Sequence, residues 1–232
     1  MTAEDLPYSP RAFVRLQGWL SPSFPSGAYS YSHGLEWAVE AGDIHDRSSL
    51  VDWLEADLCY GSGRNEAIFF SEACRCVIAS NHAGLTRVAE LAAAFRGTSE
   101  FALESSQQAT ACLTTLRQVW PHPVLDSFLE MNCQPVLAVV LGARSAAERI
   151  QVRAALPAFL HSYVANLVLA GVKLIPLGQT DGQLAIAALE DAVLWSSAQG
   201  GRATLDDLGS AGFMVELASI AHETQYTRLF RS

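Results

Sequence analysis

Apolar residues recur along most of the chain at the three- and four-residue intervals of an amphipathic helix. The clearest pattern consists of Leu50, Trp53, Leu54 and Leu58. Ser49 with Asp52 is a candidate capping box in front of it. Similar patterns predict helices over 11–20, 33–41, 64–80, 83–95, 99–119, 123–132 and 212–222. The spacing of apolar positions therefore predicts helices from one end of the chain to the other.

Three further capping boxes mark predicted helix starts. Ser145 with Glu148 precedes a helix towards Val172, and Thr180 with Gln183 precedes a helix that ends at Gly200. Thr204 with Asp207 precedes a short final turn. No run alternates apolar and polar residues as a half-buried strand does. The apolar run Val136–Leu141 is the one candidate strand, but its Leu and Ala content and the following glycine favour a short buried helix.

Composition supports the same fold class. Ala and Leu together number 64, whereas Val and Ile number 23, and β-branched side chains lose more rotamer freedom in a helix. No internal repeat, Gly/Ser linker or block of charge divides the chain. We therefore expect an all-α single-domain bundle of roughly ten helices over 1–232, with an N-terminal segment 1–10 and a C-terminal docking tail 222–232. Two loops, 21–32 and 175–182, interrupt the helical pattern.

Net charge disfavours one functional class, and the position of the single lysine excludes another. Lys and Arg total 15 against 24 Asp and Glu, for a net charge of −9, so non-specific binding to nucleic acid is disfavoured. Lys173 is the single lysine and is followed by Leu174. A P-loop needs Ser or Thr at that point, so a conventional P-loop nucleotidase is excluded.

The sequence predicts a cytoplasmic protein outside the membrane. Ala154–Val172 has no charged residue, but its Pro157, His161 and Asn166 are costly in lipid, so we expect a buried core helix. The five cysteines are odd in number and lie in apolar surroundings, which indicates reduced, buried thiols. Acidic residues precede any apolar run at the start of the chain, unlike in a signal peptide.

No set of residues with catalytic spacing is present. The six histidines are scattered, and none has a partner four residues away with which to share a metal ion on a helix. Ser30 and Ser32 resemble a nucleophile elbow only loosely, and capping of the next helix explains them better. His161 is expected to be a hydrogen-bonded core histidine, and paired carboxylates such as Asp206-Asp207 are expected to be caps or solvated faces. We expect no catalytic residues, no metal site and no cofactor.

Aromatic residues in two polar stretches suit contact with another protein. The first loop carries Tyr29 and Tyr31 between Ser and Gly residues, and tyrosine gives a large contact area at low entropic cost. Packing of one or both rings inward is the alternative. The tail mixes apolar anchors with basic side chains: Tyr226, Leu229 and Phe230 with Arg228 and Arg231. Docking to a partner and packing on its own domain remain equally compatible with that composition.

Three stretches follow one another along the chain: Phe24–Gly42, Lys173–Gln183 and His222–Ser232. In this order they resemble the signatures of the UreF family of urease accessory proteins. The resemblance implies an all-α homodimer without chemistry of its own. It also implies binding to the accessory protein UreD, also called UreH, and recruitment of the GTPase UreG. The assembly would act on apo-urease, in which a lysine is carbamylated and nickel is inserted.

The resemblance assigns roles to individual residues. Tyr29 matches the aromatic residue of the first loop, on the surface implicated in the GTPase contact or the nickel route. Lys173 matches a basic position tied to control of the GTPase and often occupied by Arg, and Arg228 matches the tail arginine that holds the C-terminal segment when UreD docks. Lysine lacks the planar fork of arginine, so a two-pronged contact at position 173 is in question. Tyr226, Phe230 and Arg231 complete the expected partner-binding set.

One detail of the sequence differs from the family pattern, and one alternative function competes with this hypothesis. The usual Pro-Val-Gly-Gly-Phe of the first loop is Pro-Ser-Gly-Ala-Tyr here, over 25–29. The alternative function is a metallochaperone that carries nickel itself on its Cys and His side chains.

Overall fold

The computed structural model describes residues 8–232, and within that range the chain forms twelve α-helices, two short 3-10 helices and no strand. The α-helices are α1 (Pro10–Trp19), α2 (Leu35–Glu40), α3 (Arg47–Tyr60), α4 (Ser62–Ile78), α5 (His82–Ala94), α6 (Ser99–Val119), α7 (Pro123–Glu130), α8 (Leu137–Ala147), α9 (Val152–Leu174), α10 (Gln179–Ala188), α11 (Glu190–Arg202) and α12 (Phe213–His222). The 3-10 helices are Ala28–Ser30 and Leu205–Asp207. The predicted all-α fold is confirmed. Positions 1–7 of the predicted N-terminal segment lie outside the described residues, and α1 already begins at its last position.

Three of the predicted helix starts are wrong, namely those at Ser49, Ser145 and Thr180, the last of which lies inside α10. Helix α3 begins after Asp46, whose carboxylate accepts a hydrogen bond from Ser49 N at 2.8 Å, so Ser49 occupies the third position instead of the cap. Ser145 lies inside α8, and the long helix that follows starts after Gln151. Helix α3 starts earlier than predicted because Asp46 caps it, whereas the buried apolar residues of α8 continue that helix past Ser145.

The last predicted long helix is two helices. It starts after Gly178, and it breaks at Leu189 into α10 and α11. Leu189 is fully buried, and the break turns α11 onto α3, α4 and α9. The final capping box is confirmed, since Thr204 N donates to the Asp207 carboxylate at 2.8 Å.

Helix α4 is the central element of the core. It packs most extensively against α8. A Cβ atom on Gly142 of α8 would lie only 2.4 Å from the carbonyl oxygen of Phe70 on α4. Only glycine permits that separation of the two backbones. The run Val136–Leu141 enters α8, so the predicted helix is confirmed and the candidate strand is excluded.

Helix α9 is long and apolar enough to cross a membrane, but half of its most apolar window is buried inside the fold. It packs on α11, α10, α4 and α8, as expected for a core helix. His161 corrects one expectation, because it lies on the exposed side of α9 rather than in the core. The apolar pattern alone did not distinguish the two sides of this helix, since its partly exposed face is also built mainly of small and apolar residues.

None of the five cysteines is paired with another. Four are buried, and Cys133 is half-buried. Burial raises the pKa of Cys74 and of Cys112 to about 12. These thiols are therefore protonated core side chains without nucleophilic character.

Candidate functional site

The first loop turns one tyrosine outward and the other inward. Gly27, in a left-handed conformation, precedes the 3-10 helix Ala28–Ser30. Tyr29 on that helix is 73% exposed, whereas Tyr31 is buried and its hydroxyl donates to the Gln107 side chain. Inward packing, the alternative for this loop, therefore holds for Tyr31, whereas Tyr29 is left exposed.

Lys173 connects the loop to the tail. It lies in the last turn of α9, and its Nζ donates to the carbonyl oxygen of Tyr29 at 3.5 Å. The same Nζ lies 5.4 Å from the centroid of the Phe230 ring, within the range of a cation–π contact. Lysine acts here as a point charge between a carbonyl and a ring, an arrangement that does not need a guanidinium fork.

The end of the tail pairs with the loop through backbone hydrogen bonds. Arg231 N donates to Ser30 O at 2.9 Å, and Ser32 N donates to Ser232 O at 2.7 Å. The hydroxyl of Ser32 is fully buried and also donates to Ser232 O, while it accepts from Glu36 N at 3.4 Å. Ser32 therefore anchors the tail and the first turn of α2, and it is not an exposed nucleophile.

A buried carboxylate on α2 fixes the tail backbone. The Oε1 atom of Glu36 accepts from Leu229 N at 2.6 Å, and its Oε2 atom accepts from Phe230 N at 2.9 Å. Hydrogen bonds to an ionised acceptor are stronger than neutral ones. Glu36 thus binds two consecutive tail amides that would otherwise lack a partner.

His222 bridges this carboxylate to a second one. The imidazole is fully buried, with Nε2 3.1 Å from Glu36 Oε2 and Nδ1 2.8 Å from Glu100 Oε2. The ring therefore places one nitrogen atom against each carboxylate. Arg228 Nη1 adds a third contact, at 3.0 Å from Glu100 Oε1. Burial raises the pKa of Glu100 despite the opposing effects of His222 and Arg228.

The tail therefore has an inner and an outer side. Phe230 and Ser232 are buried, while Tyr226 is fully exposed and Leu229 largely so. Packing on its own fold, one of the two alternatives for this segment, holds for Phe230. Tyr226 and Leu229 are therefore accessible to a partner, while the exposed Arg231 guanidinium donates to Gln107 Oε1 at 3.4 Å. We call Tyr29, Lys173 and residues 226–231 the loop–tail surface.

Helix α12, which leads into the tail, is apolar on both faces. Its inner face packs on α2 and α6 through Val215, Ala218, Ser219 and His222. Its outer face exposes a stripe of Phe213, Met214, Leu217 and Ile220. We call these four residues the α12 stripe. Exposed contiguous apolar surface of this kind is typical of protein interaction sites.

Gly34 allows α2 to approach α12. Its φ is +79°, and a Cβ at this position would lie 3.1 Å from Ser219 N and 3.2 Å from Val215 O. Both contacts are backbone atoms of α12, which cannot rotate away as a side chain can. The glycine therefore brings Glu36 within reach of His222 and of the tail.

Comparison with known proteins identifies the relatives of this chain. The sequence profile of UreF matches residues 44–190. The urease accessory protein UreF of Rhodopseudomonas palustris (strain BisB5) is 50% identical over 223 residues, which cover 95% of this chain and 91% of the relative. The protein of the same name from Bradyrhizobium sp. (strain BTAi1) is 46% identical over 232 residues, or 100% of this chain and 95% of the relative.

This chain belongs to the UreF family. Its relatives are named as accessory proteins, so this UreF-family chain is an accessory protein rather than an enzyme, as its sequence predicted. The matched profile spans α3 to the start of α11, and the full-length relatives extend the match over the first loop and the tail.

Sequence reasoning missed the buried residues that assemble the loop–tail surface. Glu36 stands inside the first UreF signature and His222 begins the last, but nothing in the sequence showed that one bonds the other. Glu100 lies outside all three signatures and had no signal of its own. Such contacts join residues more than a hundred positions apart, and only the fold brings them together.

Potential metal ligands do not cluster in the described part of this UreF-family chain. Between residues 8 and 232, no group of three or more His, Cys, Asp or Glu side chains is placed to hold one ion. The nickel-carrying alternative therefore gains no structural support.

Proposed function

We propose that this protein is a non-catalytic scaffold in urease maturation. Together with UreD (UreH), it recruits the GTPase UreG to apo-urease for nickel insertion and carbamylation of the active-site lysine, and it modulates the GTPase. It acts in the cytoplasm as a homodimer. The observation that carries the proposal is the convergence of the three family signatures, distant in sequence, on the loop–tail surface.

We assign one partner to the α12 stripe and the other to a group of residues on the loop–tail surface. The α12 stripe, continued by Tyr226 and Leu229, supplies exposed apolar anchors of the kind that dominate binding energy. We assign it to UreD. The group of Tyr29, Lys173 and Arg231 combines an exposed ring with two basic residues that each hydrogen-bond the backbone of the first loop. We assign it to UreG.

Charge and packing support the arrangement. Arg228 is partly exposed, yet its guanidinium already bonds Glu100 next to His222. A partner that covers Tyr226 and Leu229 would also shield this ion pair from water and strengthen it. Docking of UreD would therefore hold the tail in the conformation that completes the surface assigned to UreG.

The deciding experiment measures the mass of purified complexes in solution, with UreD alone and then with UreD and UreG. Leu217→Glu in the α12 stripe should weaken UreD binding at least about tenfold. Ile78→Glu is the matched control, because Ile78 is equally exposed but lies at the end of α4, outside both surfaces. Equal loss in both variants would contradict the assignment of the stripe.

The second arm tests the GTPase contact. Tyr29→Ala should retain UreD and lose UreG, and Arg228→Gln should weaken UreD binding. Unchanged recruitment of UreG by the Tyr29 variant would remove that residue from the contact. GTP hydrolysis by the isolated chain, or sub-micromolar nickel in equilibrium dialysis, would overturn the scaffold itself.

A further inference from the structure

A cavity of about 180 Å³ lies beneath the loop–tail surface. The first loop, α6 and α9 enclose it, and Tyr29 and Lys173 stand at its exposed end. Most of its wall is apolar, with large contributions from Trp19, Phe24, Phe101, Leu141, Phe159 and Leu167. The scaffold function proposed above makes no use of this space.

The two carboxylates of the wall already accept hydrogen bonds, whereas some buried donors on lining residues have no partner. Glu66 accepts from Arg96 Nη1, and Glu104 accepts from Gln108 Nε2 at 3.2 Å and from Ser232 Oγ at 2.8 Å. In contrast, three buried nitrogens on lining residues have no partner: Trp19 Nε1, His33 Nε2 and Arg96 Nη2. Buried polar atoms without a partner are rare in native proteins.

His33 is held in position by its surroundings. It is 8% exposed, its ring stacks on Phe101 with centroids 4.0 Å apart, and Nδ1 lies 3.3 Å from Glu104 Oε2. Burial alone would lower the pKa of His33, but Glu104, with smaller effects of Asp57 and Glu66, outweighs it and raises the pKa. With Nδ1 donating to Glu104, an imidazolium presents Nε2 as a second donor.

The wall carries two carboxylates, Glu66 and Glu104, against the cations Arg96 and Lys173. His33, whose pKa is raised, adds a third positive charge when its ring is protonated, and the wall then has a surplus of one. A monoanion would neutralise this surplus, whereas an amine would add to it. A neutral molecule would leave it unchanged.

We propose that this cavity binds a small apolar monocarboxylate, whose carboxylate accepts hydrogen bonds from His33 Nε2 and Arg96 Nη2 while its hydrocarbon part lies against the aromatic wall. This inference goes beyond the scaffold function and does not depend on UreD or UreG. Because the ligand would contact the first loop and α9 together, its binding would stabilise the folded protein.

Head-group comparison tests the proposal on the full chain. Hexanoate, hexan-1-ol and hexylamine share one hydrocarbon chain and differ in charge, and each is titrated calorimetrically into the protein. We expect hexanoate to bind with a dissociation constant below about 1 mM, and the alcohol and amine at least about tenfold more weakly. Equal affinity for the three, or no binding of hexanoate, would overturn the proposal.

Substitution of the two proposed donors tests where the carboxylate of the ligand binds. His33→Gln and Arg96→Gln should each weaken hexanoate binding about tenfold. Arg153→Gln is the matched control, since Arg153 is an exposed cation on α9 outside the cavity. Arg96 pairs with Glu66, so the Arg96 variant is interpreted only with an unchanged circular dichroism spectrum. His33→Gln with full hexanoate affinity contradicts the proposal by itself.

Direct observation of the ligand completes the test. The side chains of His33, Phe101 and Arg96 also border a neighbouring cavity, of about 270 Å³, which is the competing location. In crystals grown with 6-bromohexanoate, the anomalous signal of bromine should lie between Phe24 and Phe159. A bromine in the neighbouring cavity or on the outer surface would refute the site.

Discussion

The ammonium group of Lys173 lies 5.4 Å from the centroid of the Phe230 ring and thereby joins the end of α9 to the end of the tail. The ring is 5% exposed, although it belongs to a terminal segment that composition alone left open. Its burial between Lys173 and the core makes the tail part of the fold. The first prediction follows from this contact.

Phe230→Ala should release the tail without unfolding the protein. Loss of the ring should cost about 3 kcal/mol of the free energy of local tail opening. Hydrogen exchange of the Leu229, Phe230 and Arg231 amides should accelerate, while α4 and α8 stay protected. Leu229→Ala is the control, since that side chain is largely exposed. If both variants exchange alike, the ring does not hold the tail.

Glu36→Gln should destabilise the protein more than the same substitution at the exposed Glu40 does. The substitution keeps the shape but removes the charge that accepts from two tail amides and faces His222. We expect the free energy of unfolding in guanidinium chloride to fall by about 2–3 kcal/mol. Glu40→Gln, on the exposed side of the same helix, affects a single hydrogen bond from Gln225 and should change it by less than about 1 kcal/mol. A Glu36 variant as stable as the Glu40 variant would argue against a charged anchor.

His33 should make stability depend on pH with a definite sign. Its pKa in the folded state is raised above the ordinary 6.5, mainly because Glu104 outweighs the effect of burial. The contribution is therefore complete below pH 6.5 and is lost as pH rises through the folded-state pKa. The difference in unfolding free energy between the wild type and His33→Gln should shrink along that rise.

A second substitution isolates the cause of this pH dependence. Glu104→Gln removes the main charge that favours the imidazolium, so His33 should lose its proton at a lower pH. The decline in stability attributable to His33 should move in the same direction. A His33→Gln difference that grows with pH would contradict the sign of the shift.

Alanine substitutions at two glycines distinguish the cost of backbone strain from the cost of a steric clash. Gly27 and Gly34 both have positive φ, +76° and +79°, but a Cβ at Gly27 meets nothing within 4 Å. Gly27→Ala should therefore cost about 1–2 kcal/mol of unfolding free energy through strain alone. Gly34→Ala should cost clearly more, because its Cβ would press on backbone atoms of α12. Equal costs in thermal or denaturant unfolding would show that the close approach of α2 and α12 is not needed.

The helices that the sequence predicted best have continuous local signals. Helix α6 is observed over Ser99–Val119, the range that was predicted, and α1, α4 and α5 differ by one or two residues. Their apolar spacing and caps lie within a few turns of one another. The errors fell where packing overrides local preference, as at Ser145 inside α8 and at the buried break at Leu189.

The residues of the candidate site likewise fall into those that the sequence identified and those that it did not. The sequence named Tyr29, Lys173, Arg228 and Phe230, because aromatic and basic residues in polar stretches are recognisable one at a time. It assigned His161 to the core, yet the core histidines are His33 and His222. Whether a histidine is buried depends on which helix covers it, and that information is spread over distant parts of the chain.

The sequence by itself determined an acidic, all-helical chain without a P-loop, since composition, short-range periodicity and the one lysine suffice for these points. It also carries the three stretches that resemble UreF signatures, which are recognised by similarity rather than by physical argument. Only the tertiary structure decided that Glu36, His222 and Glu100 meet, that Phe230 turns inward while Tyr226 turns outward, and that a cavity with unpartnered donors lies below them. These features depend on contacts between residues more than a hundred positions apart. Such contacts form when many helices pack together, and no local pattern encodes which ones will meet.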